Sequence, residues 1–238
     1  MAALSKPSAR ATMAMKALST QPNLVEQVRD AVLGEIASGA LPPGERIIQE
    51  QIAQALGVSR QPVQQALQLL RNQGVLTDAP GRGLHVAPLE PGHVGHMCEI
   101  RAVIEGLACR QAAETSAERA AKLGPALIDA GRKAVASGSV VKMITADIRF
   151  HEFLYSLSGN PLIAPALATQ LGYTQRVMGE VLMRDEQPLD IWAQHAEILD
   201  AIIQQDGARA EALGRRHITQ ASGFMVARLK SSAAAAGK

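Results

Sequence analysis

A chain of 238 residues with 47% hydrophobic content holds enough apolar material for two folded cores. An aromatic share of only 3%, with few β-branched runs, excludes an all-β design and favours Ala- and Leu-rich helices, so the fold class is mostly α. The net charge of +2 excludes bulk basicity as a source of nucleic-acid affinity, and no stretch approaches the roughly 20 apolar residues of a spanning helix, so a soluble, cytoplasmic protein without membrane contact is expected.

Residues 1–19 are rich in Ala, Ser and Met, lack the apolar core of a signal peptide, and carry Lys6, Arg10 and Lys16. They read as a disordered basic arm. A first domain is expected over residues 20–87. Leu24, Val28, Val32 and Ile36 keep helical spacing until Gly39, after which Leu41, Pro42, Pro43 and Gly44 break the chain. From Pro42 to Val86 the pattern is a helix-turn-helix followed by a β-wing. Ile52, Ala53 and Leu56 define one short helix, Gly57 can end it in the left-handed conformation, and Ser59 can cap the next, with Pro62 in its first turn.

That second helix buries Val63, Ala66, Leu67 and Leu70 and leaves Arg60, Gln61, Gln64, Gln65 and Gln68 free. A recognition helix offers its N-terminal residues to base edges, where Arg bonds guanine bidentately and Gln bonds adenine. Val75 to Thr77 and Leu84 to Val86 form the expected hairpin, with Arg82 at its tip. Five arginines face six acidic residues over 20–88, so attraction to double-stranded DNA has to come from placement. The expected contacts are Arg46, Ser59, Arg60, Gln61, Gln64, Gly81 and Arg82.

The ordered series Leu41 to Gly44, Ile52-Ala53, Leu56 to Arg60, Pro62-Val63, Ala66-Leu67, Leu70, Gly74 and Gly81 to Gly83 resembles the winged DNA-binding domain of the GntR family of bacterial regulators. Two positions depart from that family's pattern. Glu50 and Gln64 stand where the family usually places arginines that contact DNA, so the resemblance implies no particular operator sequence.

Pro88 to Gly92 reads as a linker. Beyond it, helical segments are expected over 93–114, 117–136, 140–157, 161–183, 189–205 and 207–229, separated by short turn and cap sequences. This implies an antiparallel α-helical bundle of about six helices over 93–230, with an Ala-rich disordered tail at 231–238. Cys98 and Cys109, roughly 16 Å apart on one helix, are too far apart to pair and read as packing thiols.

On the third bundle helix, Asp147 and His151 lie four residues apart within an apolar arc of Ile144, Ile148, Leu154 and Tyr155. His195 falls on the stripe of Trp192, Ile198, Leu199 and Ile202, and His217 on that of Leu213, Ala221 and Phe224. A single inward histidine is more often a hydrogen-bonded core residue than a ligand. Three imidazoles and a carboxylate together suit a divalent metal, zinc first, with nickel, manganese or iron also accommodated. Arg101 lies at the edge of the stripe Met97, Ile100, Ile104, Leu107 and Ala108. It could grip a carboxylate bidentately or form a surface pair with Glu105, and spacing does not separate the two.

The order Asp147-x-x-x-His151, His195, His217, with Phe150-His151 and Ser158 to Pro161, resembles the metal-binding version of the FCD ligand-sensing domain found in the FadR subfamily of GntR regulators. That resemblance implies a bundle of six or seven helices, four metal ligands at Asp147, His151, His195 and His217, and effector binding by Arg101. The expected function is a homodimeric bacterial transcriptional repressor released from operator DNA by a small carboxylate effector. Two alternatives use the same residues: a regulator whose effector is the ion itself and, ranked below it, a metalloenzyme acting on a small organic acid.

Overall fold

The computed structural model describes residues 24–78, 81, 83–182 and 191–236; the arm expected at 1–19 and the wing-tip Arg82 lie outside them. In the first domain, α1 (Leu24–Ala37) buries Val28, Val32, Leu33 and Ile36 against α3 (Arg60–Asn72), whose Val63, Ala66, Leu67 and Leu70 are fully buried. Between them α2 (Gln49–Leu56) ends at Gly57 in the left-handed conformation (φ 65°) and forces the sharp turn into α3. Ser59 occupies the cap position, yet its hydroxyl makes no capping bond.

The wing contains a strand that sequence spacing did not signal. β1 (Arg46–Ile47) joins β2 (Leu76–Asp78) and β3 (Leu84–Val86) in an antiparallel sheet of order β1-β3-β2, pairing Arg46 with His85 and Ile47 with Leu84. Two residues are too few to show a period.

The second domain is a bundle of α4 (Pro91–Thr115), α5 (Ala117–Ala136), α6 (Val140–Leu157), α7 (Ile163–Leu182), α8 (Ile191–Ile203) and α9 (Gly207–Ala236). Two helices run past the limits expected for the bundle. α4 starts at Pro91, inside the stretch read as linker, because proline is tolerated in the first turn where its missing N–H is no loss. α9 continues to Ala236, past the point where a disordered tail was expected, because alanine has the highest helix propensity of any residue.

Two contacts fix the helices that matter below. Ser139 caps α6 by accepting from the Lys142 amide at 3.4 Å, setting the phase of Asp147 and His151. Gly131 of α5 admits the Trp192 ring of α8 so closely that a Cβ would meet it at 2.1 Å, and this seats the helix that carries His195. Cys98 and Cys109 are both buried and free. Among the described residues, no helix is long and apolar enough to cross a membrane.

Candidate functional site

Three helices bring Asp147, His151, His195 and His217 together. The Nε2 atoms of His195 and His217 lie 3.2 Å apart. Asp147 Oδ1 is 3.6 Å from His195 Nε2, and its Oδ2 is 3.8 Å from His151 Nε2. All four side chains are buried, and the three imidazoles each offer a nitrogen within 4.8 Å of the others. A coordination shell with metal–ligand bonds of about 2.1 Å has edges of roughly 3.0–3.4 Å, so the separations of 3.2, 3.6 and 3.8 Å lie within a few tenths of an ångström of it, while the imidazole nitrogens that are only within 4.8 Å of one another would draw in further around an ion. The donor set, three imidazole nitrogens and a carboxylate, fits a first-row divalent ion.

The far side of each ring decides what faces the centre. His151 Nδ1 lies 2.6 Å from Glu105 Oε2, and His217 Nδ1 lies 2.9 Å from Gln194 Oε1. Both oxygens accept, so each Nδ1 carries the proton and each Nε2 presents a lone pair to the centre. His195 has no Nδ1 partner among the described residues. Its ring is fixed instead by stacking on Phe150, with centroids 4.2 Å apart, and by the edge of Trp192 at 4.7 Å.

Burial drives the electrostatics. Desolvation, then the neighbouring His217 and His151, hold the His195 imidazole well below its ordinary range. Desolvation and His151 lower His217 to about 3. Both rings are therefore neutral, the form that ligates metal. Burial raises the Asp147 carboxyl despite the opposing pull of His151 and Arg101, as expected for an acid short of positive charge. Glu105 behaves oppositely. Burial alone would raise it, but Arg101 and His151 hold it well below the carboxylate range.

Arg101 is neither a surface residue nor at the pocket edge. It is 3% exposed, its Nε donates to Glu105 Oε1, and its Nη1 donates to Thr174 Oγ1 at 3.2 Å. Of the stripe expected on α4, Met97 and Ala108 are buried and Ile104 and Leu107 half-buried, whereas Ile100 is 56% exposed and burial extends to Cys98, Arg101, Ala102, Glu105 and Cys109. The buried face is thus broader than expected and takes in Arg101 and Glu105, which lets the ion pair form in the interior. Glu105, whose Oε1 also accepts from the Tyr155 hydroxyl at 2.7 Å, was missed as the partner of His151. The small residues Ala102, Gly106, Cys109 and Ala113, spaced three and four apart, were the available signal for a closely packed face.

On the first domain, Arg46, Ser59, Arg60, Gln61, Gln64 and Gly81 are all exposed. Arg46 on β1 lies beside Gly83 of the wing, where a Cβ would come within 3.8 Å of its guanidinium. Arg60, at the start of α3, forms an ion pair with Glu50 of α2 on the open face. The exposed surface therefore gathers two arginines and two amide side chains around the recognition helix.

The comparison with known families decides what this architecture belongs to. The model described as "Bacterial regulatory proteins, gntR family" matches residues 24–86, and that of the FCD domain matches residues 96–220. The chain belongs to the GntR family of regulators and carries an FCD domain. An HTH-type transcriptional regulator from an unstable DNA locus of Streptomyces ambofaciens is 29% identical over 179 residues, 75% of each chain. The "Probable D-xylose utilization operon transcriptional repressor" of Paenarthrobacter nicotinovorans is 29% identical over 201 residues, covering 84% of this chain and 87% of that one. Among solved structures, Escherichia coli McbR/YncC matches with a TM-score of 0.75 at 21% identity over 86% of this chain and 98% of its own, which shows a shared fold. This GntR protein is accordingly a transcriptional regulator.

Proposed function

We propose that this GntR regulator is a homodimeric repressor whose FCD bundle binds a divalent metal through Asp147, His151, His195 and His217, and releases DNA when a small carboxylate effector binds there. The observation that carries the reading is the convergence of four ligand atoms from three helices, with two imidazoles aimed by the acceptors behind them. Zinc suits the set best, and nickel, manganese or iron also fit. The bound ion would supply a cationic centre with positions open to an anionic oxygen. Arg101 would give the carboxylate its second anchor by exchanging its bond to Thr174.

The reading head contacts operator DNA through Arg46, Ser59, Arg60, Gln61, Gln64, Gly81 and Arg82. Two-fold related half-sites call for two-fold related proteins, which supports the dimer. Repression is supported by the relative named for a D-xylose utilization operon. The effector acts by binding one arrangement of the domains more tightly than the other.

The test has two parts. Elemental analysis of purified protein should find near-stoichiometric metal that His151→Ala removes, and binding at low salt should prefer the upstream intergenic DNA to random duplex. Metal-free wild type, or no preference, overturns the proposal. One observation favours a second reading, in which the ion itself is the effector: Arg101 is already engaged by Glu105 and Thr174. In that case DNA affinity follows metal and ignores carboxylates.

A further inference from the structure

The two domains meet along α7, and its two faces do different things. On one face Thr174, 4% exposed, accepts the hydrogen bond from Arg101. Two residues on, roughly 200° around the helix, Arg176 reaches into the other domain. It is 2% exposed, its Nη2 donates to the Ala87 carbonyl, and its Nη1 lies 3.5 Å from the Val75 carbonyl. These two residues are the base of the wing: Val75 precedes β2, Ala87 follows β3, and the Ala87 amide donates to Val75 O at 3.0 Å. One guanidinium therefore holds both ends of the hairpin.

The seat of α7 is also tight at one point and loose at another. A Cβ on Gly179 would lie 2.5 Å from the Ala37 carbonyl, so α7 rests directly on the end of α1. Beside that contact a cleft of about 480 Å³ separates α1 from α6 and α7, lined by Leu33, Gln73, Ile148, Tyr155 and Leu171 among others. A tight pivot next to open volume is the geometry of a joint that can rock.

We infer that α7 transmits the state of the bundle site to the DNA-reading head, with Thr174 as its input and Arg176 as the positioning residue that grips the wing. The inference rests on the metal and effector reading above, because Arg101 is the group that would change partners. When Arg101 turns toward a bound ligand, Thr174 is released, α7 shifts over the Gly179–Ala37 pivot, and the wing base follows Arg176. The wing contacts then change relative to α3 without any ligand touching the first domain.

The experiment is hydrogen–deuterium exchange on the full chain, reading the amides of 75–87, in two arms. In the first, without metal, Thr174→Val keeps the side-chain shape and removes the bond to Arg101. Wing exchange should change several-fold, and adding Arg176→Met to that variant should abolish the difference. In the second arm zinc is added together with acetate, the simplest carboxylate toward which Arg101 can turn. Wild type should show altered wing exchange, whereas Arg176→Met should bind zinc with equal stoichiometry and show none; Arg176→Lys, which keeps the charge, is the control should the Met variant fold poorly. Wing exchange that is unchanged in Thr174→Val, or that responds to zinc with acetate equally in wild type and both Arg176 variants, overturns the inference. Failure of wild type to bind zinc overturns the metal reading instead, and the Thr174 arm then decides the joint alone.

Discussion

Glu105→Gln is the most informative perturbation of the bundle. The carboxylate accepts from three directions: Arg101 and Tyr155 at Oε1, and His151 at Oε2. An amide has one oxygen and one NH2, so it cannot satisfy all three. With its oxygen toward Arg101 and Tyr155, the NH2 faces His151 Nδ1, the ring takes the other tautomer, and an N–H points at the metal position. With its oxygen toward His151, the NH2 opposes two donors and Arg101 is left buried without its counter-charge. Breaking a buried pair from one side costs about 3–5 kcal/mol, and loss of a ligand's supporting partner lowers metal affinity by about 10–100-fold.

The assay is a urea melt of metal-free protein together with a zinc titration against a chelator of known affinity. Tyr155→Phe removes only one of the three bonds and leaves the charge in place, so it should cost about 1 kcal/mol and leave zinc affinity within a few-fold of wild type. A Glu105→Gln protein that matches wild type in urea midpoint and zinc affinity would refute the assignment of Glu105 as the group that orients His151.

Three further outcomes are expected. The unfolded chain takes up a proton at His217 below pH ~6.5 while the folded chain resists until about 3, so metal-free stability should fall between those values by up to ~1.4 kcal/mol per pH unit. Asp147, raised by burial, works in the opposite direction, so the check is the urea midpoint of wild type against His217→Gln, which should fall less steeply. Glu50→Gln frees Arg60 from its ion pair and should strengthen binding to random duplex at low salt, steepening the salt dependence by about one phosphate contact in fluorescence anisotropy; an unchanged slope would place Arg60 away from the backbone. Gly131→Ala forces a methyl against the Trp192 ring and should destabilise by about 1–3 kcal/mol while weakening zinc binding through His195, read by thermal melting with and without metal.

The helix-turn-helix was legible because its signals are local: Gly57 ends one helix, Ser59 and Pro62 start the next, and Val63, Ala66, Leu67 and Leu70 mark the inner face. Asp147, His151, His195 and His217 were legible as inward residues because each sits on an apolar arc of its own helix, although on α9 the buried neighbours are Ile218 and Met225, and Phe224, read on the His217 stripe, is exposed. Glu105 was not, since the buried face of α4 is broader than its apolar stripe and the close approach of α9 is what widens it. That approach shows at Gly214, where a Cβ would meet Cys109 Sγ at 2.8 Å. Arg176 reads in sequence as one more arginine on an amphipathic helix. Its burial depends on carbonyls 89 and 101 residues away, and no local pattern encodes that.

The polar cluster also explains why a metal, if bound, would matter beyond its own site. Burial raises the Asp147 carboxyl and lowers the His195 and His217 imidazoles, so each group is held away from its charged form by dry surroundings. A divalent ion offsets that strain for all of them at once, giving the carboxylate a counter-charge and each lone pair an acceptor. Only the folded bundle presents the four together, so occupancy at a hundredfold excess over Kd adds about 2.7 kcal/mol to folding stability. Allosteric couplings are typically about 1–3 kcal/mol, so metal binding has enough free energy to bias the reading head. Size is not sufficient, however, because a ligand moves an equilibrium only by its preference between the two states. That preference has to reach residues 75–87 by a physical route, and the Arg101–Thr174 and Arg176–Ala87 contacts on opposite faces of α7 supply one.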